Sequence, residues 1–286
     1  MFFGIFKSTI KTLLRSVVFW ILLCVVLIVM ARDLSISSFG KYDLKLDEII
    51  YDTDPRFVLD YQSAIQRVIN SLSGLLFYII PIVVITTTVL TLNRDYGDKF
   101  FEIEKAAGIS PTVYLSARIS ALTALNFAVT VVGNCLAFYL YIYTRGGIEG
   151  MSVWECLADT LPRLLRNCLL MGLPCVLFYI CLTYCVGALF KNGLPGAITG
   201  LSYVIFGYVH DLYNVANAGV FMEYIRPNAP EKLFRYLYYY DTEWFEPIMQ
   251  HLGTSLGKAL TCVGILLGTS LLFSIISYLR IRKRTV

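Results

Sequence analysis

Charged side chains are scarce in this sequence. Asp, Glu, Lys and Arg make up 15% of the 286 residues, whereas a soluble domain averages about 25%. Hydrophobic residues reach 57%, above the roughly 45–50% of soluble domains. This composition excludes a disordered chain and a disulfide-stapled secreted domain, and it predicts an integral membrane protein. The net charge is only +4, with no basic stripe outside the apolar runs, which excludes a nucleic-acid-binding protein.

Residue types that ligate metals are few or unsuitably spaced. The histidines are His210 and His251, and none of the eight cysteines belongs to a C-x-x-C pair, so we predict no metal site. Only Cys156 falls in a polar loop, where we expect a reagent outside the cell to reach it. The other cysteines lie in apolar runs and should act as small buried hydrophobes: Cys24, Cys135, Cys168, Cys175, Cys181, Cys185 and Cys262.

The chain has no phosphate-binding loop. The nearest string, Gly253 to Lys258, has three rather than four residues between its glycines and no hydroxyl residue after the lysine. No cluster of His, Asp, Glu or Ser indicates a membrane enzyme, and we interpret the carboxylates between 43 and 54 as a solvated acidic loop. We therefore expect neither catalysis nor a cofactor on this chain. The apolar runs hold almost no ionisable residues, which disfavours a proton-coupled carrier.

Six charge-free runs can cross a membrane as helices. A spanning helix needs about 20 apolar residues and pairs its own backbone polar groups. Pro81 and Pro174 lie inside the second and fourth runs and predict kinks. The predicted spans are about 16–31, 68–93, 111–144, 167–190, 193–210 and 259–279.

The loops predict the orientation of these spans. Lys and Arg are about twice as dense in the segments on the side of the termini as in the opposite loops, which predicts that both termini are cytoplasmic. We interpret the first run as a retained span of a multi-pass plasma-membrane protein. The alternative, a cleaved signal peptide, is disfavoured because no small-x-small site precedes Arg32. The absence of glycosylation sequons favours a bacterial source.

The inner loop 94–118 has the features of a docking element. Asp98 can cap a short helix over about 98–107, and Gly108 can end it. Ser110 and Pro111 then predict the cap and first position of the third span. A short amphipathic helix held between two spans suits an interface that transmits force. The alternative is a helix that lies in the lipid headgroup region.

The residues of this loop follow the pattern of a known cytoplasmic loop. It resembles the loop of ABC-2 type permeases, the membrane subunits of ABC exporters. Lys99-Phe100 stands where Gly-Thr is usual, and Gly108 where Pro is usual. The residues that match are Arg94, Asp95, Tyr96, Glu102, Ile109, Ser110 and, at the entry of the next span, Arg118.

Other parts of the chain resemble the same family. Residues 1–14 form an amphipathic pattern similar to the connecting helix on the inner membrane surface. The tight turn at 190–193 is similar to the one between the family's fourth and fifth spans. The long aromatic loop 211–258 resembles the outer region whose short re-entrant helices precede the last span. The resemblance thus implies an all-α membrane fold with six transmembrane helices over 1–286.

The resemblance also implies that the chain is half of a transporter. Two ABC ATPase subunits would carry ATP and Mg, and a second permease chain, more readily an identical one, would complete the assembly. Gly196 and Gly200 form a close-packing motif that can serve the permease dimer, although Gly264 and Gly268 repeat the pattern. The predicted ATPase-coupling residues are Phe100, Phe101, Glu102, Ile103 and Lys105.

Polar residues inside two spans are candidates for the wall of a translocation path. Three of them recur at every fourth residue and therefore share a helix face. The alternative is that they form hydrogen bonds between helices. A passage low in charge suits an amphipathic peptide, lipid or hydrophobic drug, and a channel or anchor without an ATPase is the alternative function. The candidates are Thr87, Thr91, Asn126, Thr130 and Asn134.

Overall fold

The computed structural model describes residues 1–36, 40–43, 48–51, 79–144, 152–213 and 256–283. Helices form nearly all of this part, which confirms the predicted helical fold. The exception is an antiparallel hairpin of β1 (Gly40–Asp43) and β2 (Glu48–Tyr51). The acidic stretch between 43 and 54, which we expected to be a loop, is therefore a strand at Asp43 and Glu48. The β-branched Ile49 and Ile50 and the aromatic Tyr51 belong to the residue types that are enriched in strands.

The first two helices meet at a sharp bend. α1 (Phe2–Leu14) confirms the predicted amphipathic helix, and it turns Ile5, Thr9 and Leu13 toward the rest of the protein. α2 (Val17–Ile36) follows after two residues, with its axis bent by 65° from that of α1. This angle is the one expected of a helix that lies on a membrane surface and leads into a span.

The next three helices include the loop that the sequence singles out. α3 (Ile80–Gly97) covers the described part of the predicted second span, α4 (Phe100–Ala106) is the short helix, and α5 (Pro111–Thr144) has the predicted bounds of the third span. The Ser110 hydroxyl accepts a hydrogen bond from the backbone N–H of Val113 at 3.3 Å, as an N-cap does.

A continuous helical rod contains the predicted fourth span. It consists of α6 (Val153–Asn167), a π-helical turn (Cys168–Gly172) and α7 (Leu173–Phe190). The helix thus starts well before the predicted boundary at 167. The reason is a capping box, in which Ser152 and Glu155 bond each other's backbone N–H groups and start a helix within the polar stretch.

A tight turn joins α7 to α8 (Gly193–Tyr213), as predicted. Lys191 adopts the left-handed conformation that ends many helices, and the Asn192 side chain accepts from the N–H of Leu194 at 2.9 Å. α9 (Leu256–Lys283) contains the predicted last span and ends in Arg280, Arg282 and Lys283.

α7 is the centre of the helix bundle. It packs against α3, α5, α8 and α9, and most of its side chains are buried, apart from those at its end such as Leu189 and Phe190. By contrast, α2 and α9 expose many large apolar side chains, a pattern that suits helices facing lipid. α1 lies across α5, so the N-terminal helix is joined to the bundle rather than held only through α2.

Three helical stretches of the described residues are long and apolar enough to cross a membrane: Pro111–Leu140, Val153–Phe190 and Val263–Lys283. The pair α1 and α2 would add a fourth if it forms one bent span, and Gly193–Phe206 is apolar but shorter. The six-span count stays a prediction. Residues 68–78 and the re-entrant helices predicted within 211–258 lie outside the described residues, apart from the ends of α8 and α9.

Candidate functional site

A buried ion pair joins α3 to α5. Arg118 Nη2 lies 2.5 Å from Asp95 Oδ1, and the two side chains are only 5% and 1% exposed. Arg118 Nη1 donates to Thr9 Oγ1 of α1 at 2.5 Å, so one guanidinium connects three helices. Buried charges require this degree of pairing, because an unpaired charge in the interior costs several kcal/mol.

Tyr114 completes the environment of the carboxylate. It precedes Arg118 by one helical turn on α5, and its hydroxyl donates to Asp95 Oδ2, so both carboxylate oxygens are bonded. Burial raises the pKa of the Asp95 carboxyl to about 6, although Arg118 and the Tyr114 hydroxyl act in the opposite direction. The short contact with Arg118 and the hydrogen bond from Tyr114 are those of a paired carboxylate.

Phe100 connects α4 to this cluster. Its ring centroid lies 5.4 Å from the guanidinium carbon of Arg118 and 5.4 Å from that of Arg94. Each such cation–π contact contributes about 0.5–1 kcal/mol, and more where water is excluded. The first residue of the short helix thus contacts two arginines, one from each neighbouring helix.

The start of α4 differs from the prediction. Asp98 does not cap α4; its backbone N–H bonds to the Arg94 carbonyl at the end of α3, and its carboxylate accepts from Arg94 Nε at 3.3 Å. Lys99, with φ of 53°, then makes the turn into α4. Gly108 has φ of 73° and ends the helix, as predicted.

The predicted coupling residues differ in their surroundings. Phe100 is half-buried against the arginines, whereas Glu102 is exposed and Ile103 has 59% of its surface accessible. Phe101 and Lys105 belong to α4, but their side chains lie outside the described part of the structure. α4 thus has one residue that contacts the helix bundle, Phe100, and two exposed residues, the acidic Glu102 and the apolar Ile103.

The polar residues proposed for a translocation path are all buried within the chain. Asn126 Nδ2 donates to Thr87 Oγ1 at 3.0 Å, which joins α3 to α5. Thr91, Thr130 and Asn134 donate to backbone carbonyls of their own helices. Within this one chain, the five residues therefore make hydrogen bonds to their own helix or to a neighbouring one. This agrees with the alternative to a translocation path, namely that these residues hold helices together.

Gly196 and Gly200 allow a close helix contact inside the chain. A Cβ atom at Gly196 would lie 2.4 Å from the carbonyl oxygen of Thr183 in α7. One at Gly200 would lie 2.9 Å from the Ile85 side chain in α3. The motif thus packs α8 against α7 and α3 within the chain. Its role in a permease dimer stays a prediction.

The accessibility expected of Cys156 is wrong. Its side chain is fully buried in α6, at the same face as Thr160 and Leu164, which follow at i+4 and i+8. An amphipathic helix rather than a loop occupies this stretch, and Cys156 lies on its inner face. Among the described residues, no group of three or more His, Cys, Asp and Glu side chains is placed to hold a metal ion.

Part of the ionic cluster is visible in the sequence. Arg94, Asp95 and Arg118 belong to the matched loop pattern, and the i, i+4 spacing of Tyr114 and Arg118 places them on one face of α5. Thr9 carries no such signal, because its contact with Arg118 depends on how α1 crosses α5. No family model and no curated protein matches the chain, so the family assignment stays a prediction.

Proposed function

We propose that this protein is the permease subunit of an ATP-driven ABC exporter in the plasma membrane, with both termini in the cytoplasm. The observation that carries the proposal is the geometry of α4. It exposes Glu102 and Ile103 while Phe100 ties it to two arginines of the helix bundle. A protruding helix that is fixed to the bundle is what an interface needs if it is to transmit force.

The cluster around Arg118 supplies a route for that force. A displacement of α4 reaches Arg118 and Arg94 through Phe100, and Arg118 passes it to Asp95 of α3 and Thr9 of α1. Three helices would then move as one body when the ATPase pair closes on ATP. Such rigid-body movement between two states is a common mechanism of allosteric switching.

The proposed assembly contains two ABC ATPase subunits, which bind ATP and Mg, and a second permease chain, more readily an identical copy. The exposed apolar faces of α2 and α9 are available to lipid or to that copy. The cargo proposed from the composition is an amphipathic peptide, lipid or hydrophobic drug. The translocation path would form between the two permeases.

The decisive experiment is a pull-down of the tagged full-length chain in mild detergent from its native host, followed by mass spectrometry. A stoichiometric ATPase with phosphate-binding and Mg-binding motifs would support the proposal. A clean preparation without any ATPase would contradict it and favour a channel or membrane anchor. An exposed helix such as α4 would then lack its protein partner.

A further inference from the structure

A cavity of about 160 Å³ lies where α1 meets α3 and α5. It has about five times the roughly 30 Å³ of one liquid water molecule, and it is smaller than the roughly 300–1,000 Å³ pockets of drug-sized ligands. Its inner wall consists of buried residues: Thr9, Leu13, Thr91, Asp95 and Arg118. Its mouth consists of the more exposed Thr12, Ser16, Leu90 and Arg94. We call it the α1 cavity.

The charges around the α1 cavity favour an anion. Asp95 and Arg118 neutralise each other in the inner wall, which leaves the positive charge of Arg94 at the mouth. Asp98 pairs with Arg94 at 3.3 Å, but both side chains are well exposed, so water weakens this pair. The lining of the cavity therefore carries a net charge of one, from Arg94, whose partner Asp98 is not part of the lining, and it contains one buried ion pair.

Hydrogen-bond donors at the mouth remain available. Arg94 uses Nε for Asp98 and Nη1 for Thr12, and its Nη2 has no hydrogen-bond partner among the described residues. The Thr12 hydroxyl accepts from Arg94 and keeps its own hydrogen to donate. In the same part of the structure, the Ser16 hydroxyl makes no hydrogen bond. A planar guanidinium with neighbouring hydroxyls suits the oxygens of a phosphate group.

The surroundings of the cavity point to a lipid as the source of the phosphate. Ser16 is followed at once by Val17 and Val18, the first of which is 71% exposed, at the start of the apolar surface of α2. A headgroup at Ser16 can therefore extend its acyl chains along α2. Lys7 and Lys11 on the exposed side of α1 add attraction for an anionic membrane surface.

We propose that the α1 cavity binds the phosphate of an anionic phospholipid from the inner leaflet, through Arg94, Thr12 and Ser16. A bound lipid would connect α1 with α3 from the membrane side, next to the Arg118 cluster. A free phosphate ion has the same recognition chemistry and is the other source to test. The placement in the inner leaflet follows from the predicted topology, but binding needs neither an ATPase partner nor transport.

The test uses the purified full-length protein in mild detergent. Thermal unfolding and native mass spectrometry are recorded with phosphatidylglycerol, with phosphatidylcholine and with inorganic phosphate. We expect phosphatidylglycerol to bind and raise the melting temperature, phosphatidylcholine to act weakly and phosphate to have no effect. Arg94→Gln should weaken phosphatidylglycerol binding about tenfold or more, since a hydrogen bond to a charged group is lost. Lys11→Gln, a basic residue of α1 outside the cavity, should change binding less than about twofold, as expected of an exposed charge.

A second variant keeps the proposal testable if Arg94→Gln does not fold. Ser16→Leu leaves every charge in place and puts an apolar side chain at the mouth, and we expect it to weaken binding as Arg94→Gln does. Equal loss in Lys11→Gln and Arg94→Gln, or no binding by the wild type, would overturn the proposal. Protection by inorganic phosphate that Arg94→Gln abolishes would support the anion site and assign it to the free ion. If neither lipid nor phosphate binds, the result expected of the ATPase pull-down does not change. The proposed lipid site and the proposed permease function can therefore fail separately.

Discussion

The guanidinium of Arg118 lies 5.4 Å from the centre of the Phe100 ring, and it also binds Asp95 at 2.5 Å. One side chain of α5 therefore contacts both the exposed short helix and the buried end of α3. The guanidinium carbon of Arg94 lies at the same distance from the centre of this ring. Among the described side chains of α4, Phe100 is the one that makes cation–π contacts with the helix bundle.

Replacement of Phe100 by Leu should separate docking from force transmission. Leu keeps apolar volume at the start of α4 but loses both cation–π contacts, each worth about 0.5–1 kcal/mol. We expect the ATPase subunits still to co-purify while cargo-stimulated ATPase in reconstituted vesicles falls several-fold. Phe100→Tyr keeps an aromatic face and should behave like the wild type. Equal stimulation in Phe100→Leu and wild type would rule out this route.

Changes on the outward side of α4 should act on docking itself. Ile103→Asp places a charge in the proposed apolar contact, and Glu102→Arg reverses the charge beside it. We expect co-purification of the ATPase to fall about tenfold or more, as at the central residues of protein interfaces. The controls are Ile103→Val and Glu102→Gln, which keep shape. If the charged variants retain their ATPase, α4 is not the docking helix.

Loss of the Asp95 charge should destabilise the protein strongly. Asp95→Asn leaves Arg118 buried without a counter-ion, and breaking a buried pair in this way costs about 3–5 kcal/mol. Asp159→Asn removes the 3.8 Å pair with Arg163 on the more exposed side of α6 and should cost less than about 1 kcal/mol. Thermal unfolding in detergent measures both. A similar melting temperature for the two variants would contradict the structural role of the Asp95–Arg118 pair.

The two glycine motifs should respond in opposite ways to alanine. A Cβ atom at Gly196 meets the backbone of Thr183 at 2.4 Å, so Gly196→Ala should cost about 1–3 kcal/mol through overpacking. At Gly264 and Gly268, no atom of the described residues lies within 4 Å of an added Cβ atom. Alanine at these positions should therefore stabilise the helix by roughly 0.5–1 kcal/mol. Melting temperatures of the purified variants give the comparison. A neutral Gly196→Ala variant would mean that α7 and α8 are not in close contact.

Single added cysteines can test the topology. Ser152 and Glu102 are exposed and lie, by the predicted orientation, on opposite sides of the membrane. We expect a membrane-impermeant maleimide to label Ser152→Cys in intact cells and Glu102→Cys only after lysis. The wild-type chain should give little background, because Cys156 is fully buried and Cys24, which is exposed rather than buried as expected, lies within a predicted membrane span. The reverse pattern of labelling would place both termini outside.

The sequence predicted those helix ends that depend on capping and turn residues close by in the chain. Ser110 with Pro111, Gly108, and the turn at Lys191 all occupy the positions expected of them. The capping box at Ser152 was also present in the sequence, but the polarity of the stretch after it favoured a loop. Amphipathic spacing, with Cys156, Thr160 and Leu164 on one face, was the stronger signal there.

The contacts between distant segments could not be predicted in the same way. Thr9 bonds Arg118 across 109 positions, and Asn126 bonds Thr87 across 39. Both bonds depend on which faces of two helices meet, which the period of one helix does not specify. The same limit explains Gly196, because a small residue shows that a close contact is present without showing whether the neighbour belongs to the same chain.

The π-helical turn between α6 and α7 gives this long rod one surplus residue. Because successive α-helical residues are about 100° apart, the surplus residue offsets the faces of α6 from those of α7 by about that angle. The face of α6 that buries Cys156 and Leu164 is therefore not the lengthwise continuation of the face that a straight α-helix would present. The turn thus allows one rod to bury different faces at its two ends while its backbone stays helical.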